Sequence, residues 1–108
     1  MGSLSPCIRA LRDLIAIPSV NAMGREDLPA SIVGEERMAR HLREALAQIG
    51  LDAELVGGDG RLSVVASART AKAAETLLIA SHLDTVPVDG MEIDPFDPTV
   101  ADGHVYGR

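Results

Sequence analysis

In the stretch ETLLIASHLDTVPVDG, Glu75 to Gly90, an apolar run ends at a histidine and an aspartate follows two positions later. In extended chain, residues two apart point to the same side, so the Asp84 carboxylate can lie beside the His82 ring. A histidine that holds a metal through one nitrogen usually donates its other N–H to a carboxylate or carbonyl, which fixes its tautomer and orientation. The H-x-D spacing therefore suits His82 as a metal ligand and Asp84 as the group that orients it. The same residues equally suit a histidine that closes a strand and an aspartate that opens a turn. Position adds weight to the chemical reading, because ligands in open α/β sheets collect at the carboxyl ends of strands and His82 stands just past such an end. A serine-hydrolase triad of Ser81, His82 and Asp84 fails on geometry, since neighbours on a strand point to opposite faces.

The other titratable residues read as structural. His41 falls near the border of the polar face of a helix and reads as a solvated or half-buried surface residue. His104 follows an Asp102-Gly103 turn and is expected to be exposed. The acidic residues between Glu75 and Asp102 lack the Asp-x-Asp-x-Asp-Gly spacing of a calcium loop and suit turns and solubility. Cys7 is the only cysteine, so there is no disulfide framework, and its place among Ile8, Leu11 and Leu14 predicts a buried, inert thiol.

The elements that must position His82 can be read from spacing. Ser5-Pro6 is a helix start, a capping hydroxyl followed by a residue whose missing N–H costs nothing at the first helical position. Ile8, Leu11, Leu14 and Ile15 recur at helical spacing until Ile17-Pro18 ends the helix. Residues 18–30 read as a loop. A second helix is expected from about Ser31 to Ile49, with Met38, Leu42, Ala45, Leu46 and Ile49 as its apolar stripe and Gly50 as a left-handed cap on which Leu51 folds back. Leu51, Ala53 and Leu55 alternate with Asp52 and Glu54, as in a strand with one covered face, and Gly57 to Gly60 turns the chain into a strand over Arg61 to Ser67. Thr76 to Ala80 is continuously apolar and is expected to be a central strand buried on both faces. Thr99 to Ala101 and His104 to Tyr106 flank Asp102-Gly103, a hairpin signal. Two helices followed by strands give an α/β layer architecture.

At 108 residues the chain suffices for one small domain, and with 2% aromatic residues its core must be built from Ala, Leu, Ile and Val. A net charge of -6 and a pI near 4.9 disfavour nucleic acid and anionic membrane as partners, leaving small molecules or proteins. No apolar stretch approaches the roughly 20 residues of a membrane helix, and no signal-peptide pattern opens the chain. The N-terminal Met1-Gly2 lacks the Ser or Thr that myristoylation wants at the sixth position, where Pro6 stands. A cytoplasmic protein is expected.

Leu77 to Arg108 resembles the zinc-dependent amidohydrolases and metallopeptidases that include acetylornithine deacetylase, succinyl-diaminopimelate desuccinylase, aminoacylase and carboxypeptidase G. The resemblance rests on SHLDTVP at Ser81 to Pro87, PFDPT at Pro95 to Thr99 and DGHVYGR at Asp102 to Arg108, three ordered blocks, with IPSV at Ile17 to Val20 extending it towards the N-terminus. It implies the N-terminal portion of a mixed-sheet zinc-exopeptidase-like catalytic domain, with residues 1–108 a truncated part of that domain and no second domain. It further implies that His82 binds one zinc of a pair, that Asp84 orients and polarises its ring, and that the substrate is an N-acyl amino acid or small peptide. A homodimer fits the same pattern. The family's bridging aspartate, its glutamate base and its other ligands would follow Arg108, so the 108 residues are expected to be inactive by themselves. The alternative expectation is a non-catalytic remnant that binds a protein through an open sheet edge.

Overall fold

The computed structural model describes residues 2–108. Helix α1 spans Pro6–Ala16, and Ser5 caps it: its backbone is extended and its Oγ accepts from the Ile8 N–H at 3.3 Å. The helix stops at Ile17, ahead of Pro18. Of its residues only Ile15 is buried. Cys7 is exposed, against expectation, because the stripe it shares with Leu11 has nothing packed over it and Leu11 is itself exposed.

Helix α2 spans Glu36–Gln48 and thus begins later than Ser31. The intervening residues are taken by tertiary pairing: the Val20 N–H donates to Ile32 O at 2.9 Å and the Gly34 N–H to Val20 O at 3.0 Å. Met38 and Ala39 are buried, whereas Ile49, expected on the apolar stripe, is exposed. Gly50 adopts φ +91, and the bonds from Gly50 N–H to Ala47 O and from Leu51 N–H to Leu46 O form the paired closure of a Schellman cap.

Strands β1 (Asp52–Gly58) and β2 (Arg61–Ser67) form an antiparallel hairpin with Leu55 opposite Val64. The half-buried residues Ala53, Leu55, Leu62, Val64 and Ala66 share the face turned to α2. Asp59 (φ +54) and Gly60 (φ +76) make the two-residue turn with both φ values positive that suits the right-handed twist of the strands. Strands β3 (Val100–Ala101) and β4 (His104–Val105) repeat the device around Asp102 (φ +51) and Gly103 (φ +77).

The architecture is an α/β mix whose strands form two separate two-stranded antiparallel sheets. Among the described residues the expected mixed sheet is not assembled, and parallel pairing occurs only as single bridges from Val20 to Val33 and to Thr85. Thr76 to Ala80 is not a buried central strand either. It has no ladder partner among the described residues, and Leu77, Leu78 and Ile79 are 85%, 83% and 86% exposed. Apolar content makes a segment suitable for a sheet centre, but a strand exists only where neighbours supply hydrogen bonds on its flanks. The buried core is small: Ile15 of α1, Ser19 and Val20 after it, and Met38 and Ala39 of α2.

Candidate metal centre

The backbone around Val20 is the platform of the site. Thr85 N–H donates to Ser19 O at 3.0 Å and Asn21 N–H donates to Thr85 O at 2.8 Å, so residues 84–86 lie beside residues 19–21 in parallel. The Asp84–Thr85 peptide is trans, as are all the others described. With its N–H turned to Ser19, its carbonyl must point the opposite way.

That carbonyl meets the histidine. His82 Nδ1 lies 2.6 Å from Asp84 O and 3.2 Å from Asp84 Oδ1. Both oxygens can only accept, so Nδ1 donates, and in the neutral ring Nε2 then has the free lone pair. The His82 side chain is 80% exposed and that of Asp84 is 32% exposed, which leaves Nε2 open to a ligand while the orienting carboxylate is partly sheltered. The expected juxtaposition of His82 and Asp84 is therefore present, with the carboxylate reinforced by a backbone acceptor.

Asp84 is held from behind. Asn21 Nδ2 donates to Asp84 Oδ2 at 2.8 Å, and Asn21 is itself fixed because its Oδ1 accepts the Met23 N–H at 2.9 Å. The Asn21 bond and then the bond from His82 hold the Asp84 carboxyl below the usual carboxylate range against a desolvation cost. One site residue that sequence reading missed is Asn21, which fell in a stretch read as loop. Its partner lies 63 positions away, and no local pattern announces such a contact.

Arg108 secures the platform from the other side. Its guanidinium donates from Nη1 to Ile15 O at 2.6 Å, from Nη2 to Ile17 O at 2.5 Å and to Ser19 Oγ at 3.1 Å, and from Nε to Thr85 Oγ1 at 3.1 Å. It thereby satisfies carbonyls at the C-terminal end of α1, where a cation is favoured, and fastens Thr85 to Ser19. The ring of Phe96 stacks 4.8 Å from its carbon centre, and burial pulls its pKa down from the ordinary value. Gly107 makes this approach feasible, since a Cβ there would stand 2.5 Å from Ile15 Cγ2. At the rim, Arg25 pairs with Asp27 at 2.7 Å and with Asp89 at 2.6 Å, which holds both carboxyls below their ordinary range.

His82 faces a cleft of about 310 Å³ whose opposite wall is β2, with Arg61 bonded to Glu35 at 3.1 Å. Ser81 Oγ bonds to the His82 carbonyl at 3.4 Å and not to the ring, as the failed triad requires. His104 is exposed on its hairpin with Nδ1 donating to Asp102 O, and His41 is half-buried on α2. Among the described residues no group of three or more His, Cys, Asp or Glu side chains converges. His82 and Asp84 fit one ligand arm of a metal site and not a whole one, since a catalytic zinc takes three protein ligands. No helix among the described residues is long and apolar enough to cross a membrane.

The chain is similar to proteins named succinyl-diaminopimelate desuccinylase: at 32% identity to that of Bordetella avium, over 97% of this chain and 25% of the relative. It is 38% identical to that of an Azoarcus species over 62% of this chain and 18% of the relative, and 34% identical to that of Paraburkholderia xenovorans over 68% and 21%. The chain spans about a quarter of the length of the first of these. No family model and no solved structure matches it.

Proposed function

We propose that this chain, related over nearly all of its length to the succinyl-diaminopimelate desuccinylases, supplies a histidine arm of a metal-dependent hydrolase that cleaves the amide bond of N-acyl amino acids or small peptides. The observation that supports this most is the approach of His82 Nδ1 to the carbonyl and carboxylate oxygens of Asp84, with His82 lining the cleft. The substrate class follows the name of the relatives, which act on a succinylated amino acid.

Zinc, when bound, lowers the pKa of a coordinated water towards roughly 7 and polarises the carbonyl under attack. The residues of this chain prepare that chemistry. His82 offers Nε2 as a donor, and Asp84 holds the proton on Nδ1 and increases the basicity of the ring. Asn21 holds one oxygen of the carboxylate, which leaves the other beside the ring. The further donors, the second zinc of a pair and a glutamate base are assigned to polypeptide beyond this cluster, so the 108 residues act as one portion of a catalytic domain and do not turn over substrate alone.

A chimera in which these residues replace the matching quarter of the Bordetella avium relative tests the assignment. It is expected to hydrolyse a succinylated amino acid, and His82→Ala is expected to abolish that activity. Activity that survives His82→Ala would contradict the role. Turnover by the 108-residue chain alone, lost on adding chelator, would overturn the partial-site reading.

The exposure of Leu77 to Ile79 favours a second reading, in which this apolar segment adds as a strand to another chain. Light scattering that finds a monomer, together with pull-downs that recover no protein, would end it.

A further inference from the structure

We infer that Asn21 is a positioning residue for the His82–Asp84 pair, setting which ring nitrogen of His82 is free. The inference rests on the reading of His82 as a ligand and adds to it the part that aims the orienting carboxylate. Asn21 reaches Asp84 in two ways. Its Nδ2 donates to Asp84 Oδ2 at 2.8 Å, which leaves Oδ1, on the other side of the carboxylate, at 3.2 Å from His82 Nδ1. Its backbone N–H donates to Thr85 O, the residue whose own N–H is bound to Ser19 O, and this register turns the Asp84 carbonyl to Nδ1 at 2.6 Å. The amide group of Asn21 cannot rotate to exchange its oxygen and nitrogen, because Oδ1 is committed to the Met23 N–H, and Met23 sits at φ +52. A rigid donor thus fixes one carboxylate oxygen and orients the other.

A carboxylate without that donor can rotate about its side-chain bonds towards solvent and take its acceptor away from Nδ1. Nδ1 would then keep only the Asp84 carbonyl as its acceptor, and the fraction of the ring with Nε2 free would fall. Arg108 anchors Thr85 through its Oγ1 at 3.1 Å, so the backbone half of the arrangement persists when only the Asn21 side chain is changed.

The test is nitrogen-15 NMR of the 108-residue chain, labelled at histidine, at a pH where the ring is neutral. Asn21→Asp keeps an acceptor for Met23 and removes the donor to Asp84; Asn21→Ala is the second variant. The ratio of Nδ1–H to Nε2–H forms of His82 is expected to fall roughly two- to tenfold in both, the span set by loss of one hydrogen bond. In an Asp84→Ala background the Asn21 substitutions are expected to change nothing further, an outcome a general structural role would not give. An unchanged ratio with the Thr85 amide still protected would overturn the inference. So would an Asn21 effect that persists without Asp84, or loss of Thr85 protection in both variants. Zinc added to the unaltered chain separates the two claims: no zinc-dependent shift at Nε2 counts against the ligand reading and leaves the tautomer result standing.

Discussion

The chemistry proposed for His82 depends on what occupies its Nδ1. His82 is flanked by two acceptors from one residue, the carbonyl and the carboxylate of Asp84, and both are held by groups far away in the chain. The pairing of His82 with Asp84 was legible because it depends on a spacing of two. Asn21 and Arg108 were not, because Asn21 reaches Asp84 over 63 positions, and Arg108 reaches Thr85 over 23 and Ser19, Ile17 and Ile15 over 89 to 93. Arg108→Lys is expected to destabilise the fold by about 1–3 kcal/mol, since a lysine cannot reproduce the fork that reaches Ile15, Ile17, Ser19 and Thr85, and urea unfolding measures it. The acidic side of the same surface sets a pH dependence. Asp84 is held below its ordinary pKa chiefly by Asn21, and Asp27 and Asp89 by Arg25. Each binds a proton more readily in the unfolded chain, so the stability they contribute is complete above the ordinary carboxylate range and is lost as pH falls through their folded values. The urea midpoint should be level near pH 6 and decline towards about pH 3. Arg25→Ala should make that decline shallower; an identical profile would remove Arg25 from the account.

At the scale of elements, local chemistry was readable and lateral pairing was not. Ser5-Pro6, the Gly50 cap and the Asp59-Gly60 and Asp102-Gly103 turns form as expected because each is decided within a few residues. The start of α2 moved from Ser31 to Glu36 because Ile32 and Gly34 bond Val20, and Thr76 to Ala80 stays unpaired because no neighbouring strand adjoins it among the described residues. The hairpin carries a graded prediction. Gly57→Ala should cost at least about 2 kcal/mol, because its Cβ would meet Arg61 O at 2.3 Å on a backbone at φ +120. Gly60→Ala, with open space around it, should cost only the conformational penalty of about 1 kcal/mol. Equal losses in urea midpoint for the two would deny the close approach at Gly57.

The whole molecule is open for its size. Its accessible surface of 8169 Å² exceeds the roughly 5,800 Å² typical of a folded monomer of this mass, and its radius of gyration of 16.2 Å exceeds the roughly 13 Å of a compact chain of this length. Its exposed surface includes the contiguous apolar residues Leu77, Leu78 and Ile79. The isolated chain should therefore associate or bind a hydrophobic dye, and Leu78→Lys should reduce both; a monomer indifferent to that substitution would count against the exposed strip. The proposal turns on His82, whose Nδ1 meets both the carbonyl and the carboxylate of Asp84, whereas Nδ1 of His104 meets a backbone carbonyl alone. Zinc titration of the histidine-labelled chain, followed by nitrogen-15 NMR, tests it directly. His82 Nε2 is expected to shift at lower zinc than either nitrogen of His41 or His104, with Nδ1 of His82 remaining protonated. Parallel shifts of all three histidines, or zinc at His82 Nδ1, would contradict it.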